Sequence, residues 1–223
     1  MNSPASEFAS QLITLLAAGM LVIQLLMVVQ RMLLTSIRLF ALQSLMLAAI
    51  AAIVAFFHNH AIHIYWVAAL TLIGKVLFLP WLLNRLVLKI QIEQEIAPLL
   101  NSTASMLACG GLTLLGYIVA RPFTALDRLG NNTLAIAITL LLTGFFLMFN
   151  CRKAITQVLA LLTIENGVML AAVALTSYGM PLVVELGIFF DVMVAVMVLG
   201  ILVYRIRESF ASMDVDKLSQ LKG

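Results

Sequence analysis

The segment AITQVLALLTIENGVMLAAVAL, residues 154–175, is apolar along most of its length, yet it carries Glu165 and Asn166 near its centre. An α-helix needs about 20 such residues to cross the roughly 30 Å hydrocarbon core of a bilayer. A carboxylate at that depth is costly unless it faces water or a partner group. The segment therefore predicts a membrane-spanning helix with a paired or hydrated acid at its middle.

The whole chain shares this apolar composition. Its 223 residues are 63% hydrophobic and 10% charged, whereas soluble domains carry roughly 25% charged residues. Because lipid offers the backbone no hydrogen-bond partners, continuous apolar runs of about 20 residues predict helices rather than a β-barrel. The sequence therefore predicts an all-α integral membrane protein. The opening residues MNSPASEF lack the basic start of a signal peptide, so the first apolar segment is expected to remain as a span.

Seven apolar segments have a suitable length, at about residues 8–30, 37–57, 64–84, 103–120, 133–149, 154–175 and 181–204. If they alternate across the bilayer, ten of the 13 Lys and Arg residues fall in connections on one side, against Arg121 and Arg128 on the other. Cytoplasmic loops are enriched in Lys and Arg, which predicts an outside N-terminus and a cytoplasmic C-terminus. The ten are Arg31, Arg38, Arg85, Lys89, Arg152, Lys153, Arg205, Arg207, Lys217 and Lys222.

The connection RPFTALDRLGNN, residues 121–132, divides the chain into two predicted regions. Residues 1–130 are expected to form a four-helix membrane region, and residues 131–223 a three-helix membrane region with a short cytoplasmic tail. After the third segment, residues 85–100 place Glu93 and Glu95 beside an apolar series. That stretch is either an amphipathic helix on the cytoplasmic surface or a solvated loop.

Several classes of function have no support in the sequence. The basic residues lie in short loops rather than in a stripe, which does not indicate nucleic acid binding. There is no P-loop, GxGxxG or CxxC motif, and the two cysteines, Cys109 and Cys151, are too far apart in sequence to indicate a zinc or iron–sulfur site. The histidines of HNHAIH, residues 58–63, are too few to favour a metal site. We therefore expect no bound cofactor, no metal and no catalytic residue.

Charged residues inside the spans are the candidates for function. Counting about 1.5 Å of rise per residue from the predicted outer boundary places Lys75 and Glu165 roughly 17 Å deep and Asp191 roughly 15 Å deep. Three charges on three helices thus fall near the midplane, where ionisable residues by default indicate an ion or proton pathway. Glu185 lies about four residues inside the boundary, so it either joins that pathway or reaches the headgroups.

A structural alternative stays open for the midplane charges, because a static ion pair could simply hold the helices together. Pro80 denies a helical donor to the carbonyl of Val76, just after Lys75. Gly167 lies close to Glu165, and Gly187 lies one turn before Asp191. Each glycine admits either a neighbouring helix in ordinary packing or a water molecule.

Part of the sequence resembles the K subunit of respiratory complex I. The resemblance begins in ITLLLTGFFLMFNCRKAITQVLALLTIENGVMLAAVAL, residues 138–175, where an apolar helix ends in a short basic turn before a helix with a central acid. The resemblance assigns Glu165 to the family's first glutamate and Asp191, in VELGIFFDVMVAVMVLGILVYRIR, to its second. Here the second acid is an aspartate, the turn between the two helices is shorter, and four spans precede the shared region.

Over its full length the chain resembles component E of hydrogenase-4 type complexes, through ALQSLMLA, GKVLFLPWLL, TIENG, VELGIFFD and the LKG ending. This resemblance implies an accessory subunit of a complex I-like hydrogenase of the formate hydrogenlyase type, in the inner membrane of a prokaryote. It also implies antiporter-like membrane partners, with the redox centres in a peripheral hydrogenase module. Glu165, Asp191, Lys75 and Glu185 would then carry or relay protons, Lys75 being the positive partner of the acids.

Two other functions remain as alternatives. The first is an independent proton-coupled transporter, a class that often shows inverted repeats with broken helices. The sequence contains no clear repeat, and its polar residues are few for a substrate pocket. The second is a structural spacer in which buried charges only determine packing.

Overall fold

The computed structural model describes residues 4–57, 68–69, 71–89, 98–127, 129 and 132–175, and the isolated positions 187, 194, 197 and 200. Within these residues the chain is helical, with no β-strand. The helices are α1 (Pro4–Val29), α2 (Leu33–Phe57), a π-helical segment (Leu72–Phe78) that continues into α3 (Leu79–Lys89), α4 (Ser102–Ala120), a 3₁₀-helix (Arg121–Leu126), α5 (Thr133–Asn150) and α6 (Ala154–Leu175).

Five of these helices are long and apolar enough to cross a membrane: α1, α2, α4 with part of the following 3₁₀-helix, α5 and α6. They correspond to five of the seven predicted spans, so the all-α prediction is confirmed for the described residues, with these five helices as candidate membrane spans. The third predicted span includes the π-helical segment, and only four isolated residues of the seventh are described. The count of seven spans therefore stays a prediction.

Helix α3 extends beyond the predicted third span. That span was placed at about residues 64–84, with Arg85 and Lys89 after it, and α3 continues through both to Lys89. The chain is helical there, whereas the end of the membrane span stays a prediction. Trp81 and Arg85 lie one turn apart on this helix, and the Arg85 guanidinium lies 5.2 Å from the centre of the Trp81 ring. The cation–π contact and the helical pairing stabilise the additional turn. Residues 90–97, which include Glu93 and Glu95, lie outside the described residues.

The π-helical turn surrounds Lys75. The backbone N–H of Leu79 donates to the carbonyl of Gly74, five residues back, instead of to the residue four back as in an α-helix. Pro80 follows immediately and has no N–H to offer the preceding turn. A π-helical turn adds one residue to the ladder and rotates the flanking side chains relative to a continuous α-helix. This local geometry determines which neighbours the Lys75 side chain reaches.

Helices α5 and α6 pack extensively against each other, and glycines permit their close approach. A Cβ atom on Gly167 of α6 would lie 3.1 Å from the backbone nitrogen of Leu141. A Cβ on Gly144 of α5 would lie 2.6 Å from the Cγ1 of Ile164. Small residues at such crossings let helix backbones pack closely in a membrane. Of the two readings of Gly167, the structure shows ordinary packing against a neighbouring helix.

Two hydrophobic clusters fill the bundle, one toward each end, and polar side chains separate them. Along α2, the first cluster ends at Phe40 and the second begins at Leu47. Along α6, the corresponding boundary lies between Leu162 and Met169. Both clusters contain side chains from before and after residue 130, so the packing of the described helices is continuous across the predicted division. We term the buried polar set between the clusters the polar layer: Gln24, Gln43, Ser44, Lys75, Thr163, Glu165 and Asn166.

The α1–α2 connection, the residues just before α4 and the α5–α6 connection meet at one end of the bundle. The Arg31 guanidinium donates to the Ser102 hydroxyl at the start of α4 (3.4 Å). Asn150, the last residue of α5, accepts the Leu99 N–H through its backbone carbonyl (2.8 Å) and the Leu100 N–H through its side chain (3.0 Å). Basic residues lie at this end or within the adjoining helical turns: Arg31, Arg38, Arg85, Lys89, Arg152 and Lys153.

Candidate functional site

The centre of the polar layer is an ion pair between Lys75 and Glu165. The Lys75 Nζ lies 2.8 Å from Glu165 Oε1, and the two side chains are only 1% and 7% exposed. The residues belong to segments that are distant in sequence, the π-helical segment and α6. Their contact means that the two charges share one depth in the bundle. A buried pair of this kind is tolerated because each charge compensates the other.

Asn166 connects the ion pair to α2. Its side-chain oxygen accepts a hydrogen bond from Lys75 Nζ at 3.5 Å. Its side-chain nitrogen donates to Gln43 Oε1 at 3.2 Å and to the Ser44 hydroxyl at 3.0 Å. A buried amide without partners would be costly. Here both ends of the Asn166 amide are bonded, so α6 is fixed in rotation relative to α2 and the lysine.

The polar contacts continue to α1. Gln43 Nε2 donates to Gln24 Oε1 at 3.0 Å and to the backbone carbonyl of Met20 at 3.3 Å. Gln24 Nε2 in turn lies 3.5 Å from the Thr163 hydroxyl oxygen on α6. The contacts therefore leave α6 at Asn166, pass through α2 and α1, and return to α6 one turn away.

Chemically, the polar layer holds one acid and one base among neutral amides and hydroxyls. Glu165 can exchange a proton, Lys75 can follow a change of charge, and the amides provide donors and acceptors that do not titrate. Burial strengthens interactions within the group because the local dielectric is low. The geometry can therefore couple the charge of Glu165 to the position of Lys75.

The seventh predicted span approaches the site at Gly187. A Cβ atom on Gly187 would lie 2.7 Å from Met169 Cε and 3.6 Å from Glu165 Oε1. The glycine thus lets the chain pass close to the acid. Asp191 and Glu185, the other two predicted pathway residues, lie outside the described residues.

Other titratable groups do not form a metal site within the described part of the chain, which contains no cluster of three or more His, Cys, Asp or Glu side chains. Cys109 and Cys151 are both buried and free of disulfides. Burial raises the pKa of the Cys151 thiol to about 11, so it is protonated at neutral pH and a poor nucleophile. The histidines at 58, 60 and 63 lie outside the described residues.

Sequence reasoning missed most of the polar layer. Gln24, Gln43 and Asn166 are amides inside otherwise apolar spans, and each is fully buried. Their signal was available, because an uncharged amide in a membrane helix also needs a partner. Asn166 stood out beside Glu165 but received no role, and Gln24 and Gln43 were not considered, since an amide carries no charge and its partner cannot be deduced from spacing alone.

Comparison with known proteins gives two levels of similarity. No protein-family model matches the chain, and no solved structure matches it significantly. The chain is 35% identical to the uncharacterized protein Rv0085 of Mycobacterium tuberculosis over 216 residues, which are 96% of this chain and 97% of that protein. It is 28% identical to hydrogenase-4 component E of Escherichia coli (strain K12) over 185 residues, 82% of this chain and 85% of that protein, and the Shigella flexneri protein gives the same figures.

The match to Rv0085 covers nearly the whole chain and is strong enough to define a family, whereas the match to hydrogenase-4 component E is that of a distant homologue. The chain therefore belongs to the family of the uncharacterized protein Rv0085 of Mycobacterium tuberculosis and has distant homology to hydrogenase-4 component E.

Proposed function

We propose that this chain is a membrane subunit of a complex I-like hydrogenase, in which it contributes to proton or ion movement coupled to redox chemistry in partner subunits. Distant homology to hydrogenase-4 component E supports membership of a hydrogenase complex. The observation that carries the proposed role is the buried Lys75–Glu165 ion pair in the polar layer. Ionisable residues held inside a membrane bundle are expensive and characteristically functional.

In this proposal Glu165 is the group that changes charge, and Lys75 is the positive partner that responds to it. Asp191 and Glu185 on the seventh span continue the pathway toward the outer side. The chain itself carries no redox centre, and the electron-transfer chemistry belongs to a peripheral hydrogenase module. Antiporter-like membrane subunits are the expected neighbours, and residues 131–223 would be the part related to the complex I K subunit.

A structural spacer is the second candidate, and one observation favours it. Lys75 and Glu165 compensate each other directly, and Asn166 satisfies the lysine further. A static group of this kind could hold α2, α6 and the π-helical segment together without moving a proton. The two functions differ in what a neutral substitution at Glu165 does to ion movement.

The orientation is tested by cysteine labelling in intact cells. Leu99 and Thr124 are both exposed, and Leu99 lies beside Asn150 at the end where the basic connections meet. We expect Thr124→Cys to react with a membrane-impermeant maleimide from outside, and Leu99→Cys to react only after the membrane is opened. The native cysteines are buried and should label slowly. Labelling of both new cysteines from the same side would contradict the alternating arrangement.

Membership of a larger complex is tested by extraction in a mild detergent. We expect the tagged chain to bring down antiporter-like membrane subunits and a large hydrogenase subunit, because its distant homologue is a component of hydrogenase-4. A tagged unrelated inner-membrane protein of similar abundance is the control. Recovery of the chain as a sole monomer that transports in liposomes would instead support the independent transporter.

A further inference from the structure

Hydrogen bonds run from Lys75 in a single direction, away from Glu165. Lys75 donates to Asn166, Asn166 donates to Gln43, and Gln43 donates to Gln24. Gln24 donates to the Thr163 hydroxyl, which donates to the backbone carbonyl of Ala160 at 2.7 Å. Each of the three side-chain amides in this series therefore accepts a hydrogen bond from the side of the lysine and donates one on the opposite side.

Two groups that bond in one way only fix the orientation of Asn166 and Gln43. The Lys75 ammonium can only donate hydrogen bonds. The Met20 backbone carbonyl can only accept them, and it lies 3.3 Å from Gln43 Nε2. Gln43 must therefore turn its nitrogen toward α1 and its oxygen toward Asn166. Asn166 must then turn its oxygen toward the lysine, since the opposite orientation would place N–H groups against the ammonium.

Two acceptors of different kinds lie beside the Lys75 ammonium. Glu165 Oε1 lies 2.8 Å away and Asn166 Oδ1 lies 3.5 Å away. The carboxylate loses its negative charge when it takes up a proton, whereas the amide oxygen stays the same at every pH. A buried ammonium depends strongly on its acceptors. The protonated carboxyl keeps a carbonyl oxygen that can accept a hydrogen bond but no longer attracts the ammonium by its charge, so the Asn166 oxygen is the acceptor whose strength does not change.

We propose that Asn166 is a positioning residue, whose amide oxygen is held toward Lys75 by Gln43 and Gln24 and keeps the ammonium in the polar layer when Glu165 is protonated. The inference rests on the proposed function, because it assigns Asn166 a role only if Glu165 changes its protonation state. In this role the uncharged amides hold the Lys75 ammonium in place while the ion pair is absent. The long Lys75 side chain would otherwise be released to seek solvent or headgroups.

The test uses the full-length chain in lipid nanodiscs, with ¹⁵N-lysine and ¹³C-asparagine labelling. The chain contains five lysines, and the Lys75 ammonium signal is identified by its loss in Lys75→Arg. Glu165→Gln serves as the permanently neutral acid. We expect a through-space contact between the Lys75 ammonium and the Asn166 side-chain carbonyl in both the wild type and Glu165→Gln. In Glu165→Gln/Asn166→Leu the contact is lost and the ammonium signal shifts and broadens.

The matched control is Thr143→Val, which removes a buried hydroxyl that bonds only to carbonyls of its own helix α5 and should leave the Lys75 signal unchanged. Gln43→Leu provides a second variant, because it leaves Asn166 in place but removes the group that orients it; we expect a weakened contact. An unchanged Lys75 signal in both the Asn166→Leu and Gln43→Leu proteins, each combined with Glu165→Gln, would overturn the inference. So would absence of the contact in Glu165→Gln alone.

Activity separates this inference from the proposed function. In vesicles containing the complete complex, Asn166→Leu is expected to slow proton transfer about tenfold, the effect of depriving one buried donor of its acceptor. Proton transfer at the wild-type rate in the Glu165→Gln complex would refute the proposed function, whatever the behaviour of the Lys75 ammonium signal. Loss of transfer by Glu165→Gln, together with an unchanged Lys75 signal in the double variants, would refute only the role of Asn166.

Discussion

Glu165→Gln is expected to leave the complex assembled and to slow proton transfer by about 100-fold, within the range that positioned acid–base groups contribute. Glutamine keeps the size of the side chain and can still accept a hydrogen bond from Lys75, which lies 2.8 Å from Glu165 Oε1 in the wild type. It cannot take up and release a proton. The substitution therefore removes the change of charge while preserving most of the packing around the polar layer.

The measurement is proton movement across vesicles reconstituted with the complete complex, normalised to the amount of assembled complex. Thr139→Val is a matched control, because it changes a fully buried α5 hydroxyl that donates to the Ala135 carbonyl, outside the polar layer. Asp191→Asn should also slow transfer if the seventh span continues the pathway. Wild-type rates in both the Glu165→Gln and Asp191→Asn complexes would leave the relay function untenable for this subunit.

Lys75→Met is expected to lower the free energy of unfolding by about 3–5 kcal/mol, the usual consequence of removing one partner from a buried ion pair. Glu165 is only 7% exposed, so its carboxylate would lose its countercharge without gaining water. The measurement is the thermal or denaturant unfolding of the purified protein in nanodiscs. Lys153→Met, at the basic end of the bundle, is the control and should change stability little.

The double variant Lys75→Met/Glu165→Met distinguishes a relay from a spacer. Well-packed apolar groups can replace a buried ion pair at little cost, so stability should largely return. Recovery will be incomplete, because Asn166 Oδ1 loses the donor that lies 3.5 Å away in the wild type. If the polar layer moves protons, transfer stays lost in this stable protein. Transfer at the wild-type rate would identify the pair as purely structural.

The position of the polar layer suggests why the chain keeps an expensive group of side chains. The layer lies between two apolar clusters. Among the described residues, a change of charge at Glu165 acts directly on Lys75 and reaches Gln43 and Gln24 through Asn166. Packed apolar side chains above and below transmit displacement rather than charge.

The helices themselves follow from the sequence, because hydrophobicity is a property of each segment taken alone. The predicted segment 154–175 coincides with α6 (Ala154–Leu175), and 133–149 nearly coincides with α5 (Thr133–Asn150). In lipid the backbone N–H and C=O groups of each span must form hydrogen bonds within that span, so length and apolarity are sufficient to recognise it. The same local counting placed Lys75 and Glu165 at one depth.

The partners across the bundle were decided by tertiary structure. Depth estimates alone did not determine which acid Lys75 would meet, because contact also requires each helix to turn the correct face toward its neighbour. The π-helical turn at Leu72–Phe78 sets the rotation of Lys75, and the glycine contact of Gly167 with Leu141 sets how closely α6 packs on α5. Gln24 and Gln43 likewise belong to the polar layer because their helices turn these side chains toward the centre of the bundle. The position of a residue along a span predicts its depth in the membrane. The rotation of each helix and the distance between helices are determined only when segments far apart in sequence pack together.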